Sequence, residues 1–126
     1  MTGEPDTGDA GFDRSRRLTR ARDYGKVFAD NFRIGDRYIT MLVSPRKEGD
    51  GARLGLAVAK KQLRRAVDRN RVKRIIRESF RRERANLPGV DVVVMIRRPI
   101  LELEQKEIFT RLQRLWHKIS ERCENS

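Results

Sequence analysis

Apolar residues near the start of the chain recur at helical spacing. Within residues 14–28 they fall three or four positions apart, at Leu18, Ala21, Tyr24, Val27 and Phe28. This spacing predicts an amphipathic helix in the latter part of the segment, with Thr19 as its candidate N-cap. Tyr24 and Phe28 are four residues apart and therefore share one face of that helix, where each is either a core residue or a binding residue.

The next segments alternate with a period of two, which predicts strands. Residues 32–43 place Tyr38, Thr40 and Leu42 on one side and Ile39, Met41 and Val43 on the other, with a short partner strand at residues 32–34. Residues 53–59, RLGLAVA, predict another strand whose second face carries only Gly55, Ala57 and Ala59. Such a shallow face leaves room for the close approach of a packed helix or of a ligand.

The second half of the chain predicts two more helices around one buried strand. Val72, Ile75, Ile76 and Phe80 form a helical stripe, with Asp68 as a candidate cap although an earlier start is also compatible. Val90–Ile96, VDVVVMI, is apolar enough for a strand buried on both faces. A terminal helix over residues 102–122 has an apolar face made of Ile108, Leu112, Leu115, Trp116 and Ile119.

These elements predict a single α+β domain. A chain of 126 residues suits one domain, and one sheet layered by helices would bury all the apolar stripes. Residues 1–13 are expected to form a disordered lead-in, residues 14–122 the folded domain and residues 123–126 a tail.

Positive charge is concentrated in one helix. The formal net charge is +12, and residues 60–84 contribute +9 of it, from twelve Lys and Arg against three Asp and Glu. The helix side opposite the apolar stripe carries Asn70, Lys73, Arg74, Arg77, Arg81 and Arg84. An Arg-rich ridge of this kind indicates a polyanionic partner, nucleic acid above all, and the alternative is a solvated helix face.

Several other classes of protein are disfavoured by the sequence. The longest apolar run, residues 92–96, is far too short to cross a membrane, and the acidic N-terminus does not resemble a secretory signal, so a cytoplasmic location is expected. Cys123 is the single cysteine and His117 the single histidine. The sequence also lacks a phosphate-binding glycine motif, and it therefore indicates a binding protein without catalytic side chains.

Three motifs in order resemble one family. RLGLAVAKK at residues 53–61, AVDRNRVKRIIRESFR at residues 66–81 and DVVVMIRRP at residues 91–99 resemble the protein component of bacterial ribonuclease P. Within them Arg69, Asn70 and Arg71 are similar to the family's RNR signature. Residues 14–28 resemble the family's N-terminal segment of basic and aromatic residues.

The resemblance implies a ribonucleoprotein that removes the 5′ leader from precursor tRNA. The RNA subunit would carry the catalytic site and hold most of the magnesium ions, so no catalytic residue and no metal ligand are assigned to the protein. It implies an αβββαβα sandwich with a mixed four-stranded sheet and a left-handed crossover, which is unusual among parallel crossovers. The implied partners are the RNA subunit and precursor tRNA, with no membrane and no obligate protein partner.

The resemblance also assigns residues. Those implied to face the RNA subunit are Lys60, Lys61, Arg69, Asn70, Arg71, Lys73, Arg74 and Arg77. Those implied to bind the single-stranded leader are Tyr24, Phe28 and Tyr38, because unpaired bases stack on aromatic rings. Leu42 stands at a sheet-face position that is often aromatic in relatives.

Three other functions are compatible with the basic helix. The first is a general RNA-binding or ribosomal-type protein without a processing role, and the second is a DNA-binding helix that enters the major groove. The third is a nuclease that acts without RNA, which the shortage of catalytic side chains disfavours.

Overall fold

The computed structural model describes residues 17–18, 21–46 and 51–124. The main elements are α1 Ala21–Ala29, β1 Phe32–Gly35, β2 Ile39–Pro45, β3 Arg53–Ala57, α2 Ala66–Glu83, β4 Val90–Ile96 and α3 Gln105–Glu124. Short 3-10 helices at Arg84–Asn86 and Arg98–Glu102 flank β4. The expected αβββαβα order is confirmed. The expected lead-in at residues 1–13 and the candidate cap Thr19 lie outside the described residues.

The four strands form one mixed sheet in the order β1-β2-β4-β3. β2 pairs antiparallel with both β1 and β4, whereas β3 and β4 are parallel. A parallel pair needs a long crossover connection, and α2 supplies it between β3 and β4. The predicted mixed sheet is therefore confirmed, while the left-handedness of the crossover stays an expectation from the resemblance.

One face of the sheet packs against α2 and α3 and holds the larger core. Phe80 of α2 meets Trp116 of α3 edge to face, with ring centres 5.6 Å apart. The Trp116 indole N–H donates to the hydroxyl of buried Ser79 at 2.8 Å. Because an unsatisfied buried donor costs about 1–3 kcal/mol, this bond permits a polar edge inside the core. The strands β2 and β4 contribute Ile39, Met41, Val43, Val92, Val94 and Ile96.

The opposite face of the sheet packs against α1. Val27 of α1 is fully buried and clusters with Leu18, Leu42 of β2 and Val93 of β4. Successive β4 residues thus alternate between two cores, which confirms the prediction of a strand buried on both faces. The fold consequently has three layers, with α1 on one side of the sheet and α2 and α3 on the other.

β3 ends at Ala57, two residues before its predicted end. The carbonyl of Ala59 accepts the backbone N–H groups of Gln62 and Leu63. These bonds close a turn that takes the chain away from the sheet, and a period-two pattern cannot reveal such a turn. Leu63 is fully buried at the end of this connection, which fixes where α2 begins.

α2 takes the earlier of its two candidate starts, whereas α3 begins later than predicted. Arg65 is the N-cap of α2, and Asp68 lies inside the first turn, where a carboxylate interacts favourably with the helix dipole. α3 begins three residues later than predicted, at Gln105. Its start is fixed by Glu107, whose carboxylate accepts the backbone N–H of Glu104 at 2.9 Å, as in a capping box.

Candidate nucleic-acid interface

The outer side of α2 carries most of the predicted RNA-facing cations. Its inner side buries Val72, Ile75, Ile76, Ser79 and Phe80. On the other side Asn70, Arg71 and Arg74 are exposed, while Lys73 and Arg77 are half-buried. We call these outer residues the cationic ridge: Asn70, Arg71, Lys73, Arg74 and Arg77.

Arg69 differs from the rest of its RNR element because it faces its own chain. Its guanidinium donates to the backbone carbonyls of Leu63 and Arg64 at 2.8 and 2.9 Å. These bonds tie the first turn of α2 to the preceding loop. In this structure Arg69 therefore holds the beginning of the ridge in place.

The C-terminal end of α2 is less available for binding than its sequence suggests. Arg81 and Arg82 both bond to Glu78, and the hydrogen bond from Arg81 lowers the pKa of that carboxyl below its usual value. Arg84 leaves the helical face, since the chain changes to a 3-10 helix there and its Nε donates to the carbonyl of Ala52 at 3.0 Å.

Lys60 and Lys61 lie exposed in the turn after β3. The turn is tied to the end of β4, because the backbone N–H of Arg98 donates to the side chain of Gln62 at 3.0 Å and its guanidinium donates to the carbonyl of Lys61 at 3.3 Å. Exposed Arg97 and Arg98 therefore extend the basic surface beside the two lysines. Sequence reasoning missed them, although the pair of arginines directly after a buried strand was the available signal.

Tyr24 and Phe28 lie on α1, on the other face of the sheet. Tyr24 is half-buried, and its ring covers Gly55 so closely that a Cβ on Gly55 would lie 2.8 Å from the tyrosine Cε1. Phe28 is 49% exposed, so it is not a core residue. Half-buried Ala57 and Met95 pack with Tyr24 against the core beneath α1, which leaves a shallow apolar surface beside Tyr24.

Tyr38 does not join Tyr24 and Phe28. It precedes β2 and packs against the core on the α2 and α3 side of the sheet, where Arg111 of α3 lies 4.3 Å from its ring centre. The alternation of residues 32–43 predicted that Tyr38 shares a face with Leu42. That prediction is wrong, because Tyr38 belongs to the turn before β2. Leu42 is itself only 4% exposed beneath α1, so it offers no stacking surface.

A partly buried ion-pair network links α1 to the sheet. Asp91 of β4 is 1% exposed and accepts two hydrogen bonds from Arg53 of β3, at 2.8 and 2.9 Å. Arg53 also approaches Asp23 of α1 at 3.7 Å, and Arg46 approaches Asp91 at 3.5 Å. The network connects the floor of the shallow surface to the helix that borders it.

Potential metal ligands are scattered in the described part of the chain. Residues 17–18, 21–46 and 51–124 bring together no group of three or more His, Cys, Asp or Glu suited to a metal ion. His117 is exposed and lies 3.6 Å from Glu121, while burial raises the pKa of the Cys123 thiol. Among the described helices, none is long and apolar enough to span a membrane.

A three-layer α+β fold with an exposed cationic ridge and surface aromatic residues defines a class of small nucleic-acid-binding proteins. The family model for ribonuclease P matches residues 12–120. The chain therefore belongs to the ribonuclease P protein family, which gives it the role of a protein subunit of the ribonuclease P endoribonuclease and a partnership with ribonuclease P RNA.

Individual relatives agree with this assignment. The chain is 48% identical over 117 residues to the ribonuclease P protein component of Thioalkalivibrio sulfidiphilus, covering 93% of this chain and 97% of the relative. It is 41% identical over 116 residues to that of Methylococcus capsulatus, covering 92% and 90%.

Solved structures show the same fold. A mutant RNase P protein from Staphylococcus aureus superposes with a TM-score of 0.80 at 26% identity, covering 94% of this chain and 98% of that one. The RNase P protein from Thermotoga maritima superposes with a TM-score of 0.70 at 32% identity, covering 82% and 96%. The chain order expected from the resemblance is thus found in experimentally determined relatives.

Proposed function

We propose that the cationic ridge binds ribonuclease P RNA and that the surface around Tyr24 and Phe28 binds the 5′ leader of precursor tRNA. The observation that carries the first part is the exposure of Asn70, Arg71 and Arg74 on one side of α2. Arginine binds phosphate through two parallel hydrogen bonds, and each neutralised phosphate releases counterions. Lys60 and Lys61 extend this surface at the end of β3.

The second part rests on the arrangement of α1. Phe28 exposes about half of its surface, at 49%, and Tyr24 lies one helical turn away above a sheet face of small residues. A single-stranded leader could stack its bases on these rings, each contact contributing about 1–3 kcal/mol. Tyr38 lies on the other side of the sheet, and we therefore leave it out of the leader surface.

The same proposal assigns magnesium to the RNA subunit. The absence of a cluster of three or more acidic, His or Cys side chains among the described residues supports a protein that binds and orients RNA. Magnesium would supply charge neutralisation and an activated water at the RNA's own site. We also place the reaction in the cytoplasm.

Removal of one ridge cation should reduce the salt dependence of binding to the RNA subunit. Arg74→Ala is expected to lower the slope of log affinity against log salt by about 0.7–0.9, one phosphate contact. Between 50 and 200 mM salt, its affinity should then fall about threefold less than that of the unmutated chain. Lys106→Ala, which removes an exposed cation at the start of α3, is the matched control. An unchanged slope in Arg74→Ala would show that this residue touches no phosphate.

Removal of an exposed aromatic residue should affect leader-bearing substrate selectively. In the assembled holoenzyme, Phe28→Ala should weaken binding of precursor tRNA by about fivefold to 160-fold and leave binding of mature tRNA unchanged. Tyr24→Ala should act in the same direction. Leu101→Ala, which truncates another exposed apolar side chain at 42% exposure, is the control for a general surface effect. Equal losses for both tRNAs would contradict leader binding on α1.

A further inference from the structure

A second row of positive charge lies on α3, outside the ridge. Its members follow one another at intervals of three, four and four residues, which puts them on one face of the helix. They span about 16 Å of helix axis at 1.5 Å per residue. We call this row the α3 stripe: Arg111, Arg114, Lys118 and Arg122.

Both ends of the α3 stripe are held against aromatic rings. Arg111 lies 4.3 Å from the ring centre of Tyr38, and Arg122 lies 4.3 Å from that of Phe32. Arg111 also donates to Asp36 at 3.0 Å. A guanidinium held over a ring loses less freedom when it binds an anion, because it is already oriented.

Asp36 is itself fixed, so Arg111 has a rigid support. Burial alone would raise the pKa of this carboxyl, but the backbone N–H groups of Tyr38 and Ile39, together with Arg111, lower it below its usual value. The carboxylate accepts those N–H groups at 2.8 and 3.0 Å. The support for the stripe is therefore built into the β1–β2 turn.

The middle of the stripe carries uncompensated positive charge. Among residues 17–18, 21–46 and 51–124, Arg114 and Lys118 form no ion pair, and both are exposed. Nearby Glu107 is occupied by the helix start and Glu121 lies beside His117. Like charges four residues apart destabilise a helix by a few tenths of a kcal/mol per pair. The stability of α3 therefore does not explain this row of positive charges.

The stripe and the ridge lie towards different edges of the sheet. α3 packs beside β1, one edge strand, whereas Lys60 and Lys61 lead from β3, the other edge strand, into α2. An RNA strand bound along the ridge therefore leaves the stripe available to another segment.

We propose that the α3 stripe binds the phosphate backbone of RNA at a second surface, separate from the cationic ridge. The cations beyond Arg111, whose charge Asp36 already balances, can neutralise successive phosphates along the stripe. Three of the four stripe residues are arginines, which suits bidentate contact with phosphate. The inference rests on family membership for the presence of RNA, and it does not depend on which RNA segment the ridge binds.

The test is a double substitution in the middle of the stripe. Arg114→Ala with Lys118→Ala leaves the two ring-supported arginines in place and removes two exposed side chains. Binding is measured against salt with two probes, ribonuclease P RNA alone and precursor tRNA bound to the holoenzyme. We expect the salt slope to fall by about 1.4–1.8 for at least one probe, so that the loss of affinity between 50 and 200 mM salt becomes about tenfold smaller.

Two parallel variants separate the possible outcomes. Lys106→Ala lies on the same helix but off the stripe and should bind like the unmutated chain, while Arg74→Ala reports on the ridge. If Arg74→Ala flattens the slope and the double variant changes neither slope nor affinity for either RNA, the stripe proposal is overturned and the ridge proposal stands. If only the double variant acts, the ridge proposal fails and the stripe proposal stands. Charge reversal, Arg114→Glu with Lys118→Glu, should deepen the loss.

Discussion

Gly55 sets how closely α1 approaches the sheet. A side chain at this position would meet the Tyr24 ring and the Leu18 methyl at 2.8 Å, which is shorter than van der Waals contact between carbon atoms. The glycine therefore lets the Tyr24 ring lie close to the β3 backbone. Gly25, within α1 itself, has open space around the position of a Cβ.

The same substitution should have opposite effects at the two glycines. Gly55→Ala should lower the free energy of unfolding by about 1–3 kcal/mol through overpacking and should weaken binding of leader-bearing tRNA, because Tyr24 must move. Gly25→Ala should raise the free energy of unfolding by about 0.5–1 kcal/mol, because alanine is favoured inside a helix. Urea unfolding measures both. Stabilisation by Gly55→Ala would contradict the close approach of Tyr24.

The sequence predicted part of this arrangement. The small-residue face of β3 indicated a close neighbour, but only the structure identifies it as Tyr24 on the sheet backbone. The position of Tyr38 could not be predicted from the sequence, because the alternation of faces holds only within a strand and Tyr38 precedes β2. Asp36 binds the backbone N–H groups of Tyr38 and Ile39 and turns the tyrosine to the other side before β2 begins.

At the scale of elements, the Arg53 and Asp91 pair connects β3, β4 and α1. The parallel pairing of β3 with β4 sets Arg53 directly opposite Asp91. Nothing in the spacing of two residues that lie 38 positions apart reveals this pairing. The ridge on α2 was predictable because its period of 3.6 is local, whereas the inward contacts of Arg69 and Arg84 depend on partners outside the helix.

Removal of the buried carboxylate of Asp91 should be far more costly than removal of the half-buried carboxylate of Asp68. Asp91→Ala should lower the free energy of unfolding by about 3 kcal/mol or more, because it leaves the partly buried Arg53 without its main partner. Asp68→Ala breaks a longer pair, 3.8 Å, with exposed Arg65, and should cost less than about 1 kcal/mol. Equal costs in urea unfolding would show that the Asp91 network does not hold the elements together.

At the scale of the whole molecule, the two faces of the sheet carry different helices and different surfaces. The larger core, with α2 and α3, supports the cationic surfaces, whereas α1 covers the other face and presents Tyr24 and Phe28 beside it. Sequence patterns predicted the element order and the main basic helix. They did not predict the strand order β1-β2-β4-β3, since strand pairing depends on long-range contacts that no local pattern records.

We propose that the ridge delivers this protein to ribonuclease P RNA, which removes the leader. The most direct test of this claim is the rate of leader removal from precursor tRNA by ribonuclease P RNA at low magnesium, with a limiting amount of the chain. The unmutated chain should raise the rate severalfold, and Arg71→Ala with Arg74→Ala should raise it only when added in excess. No stimulation by the unmutated chain, or equal stimulation by the double variant at limiting concentration, would contradict the claim.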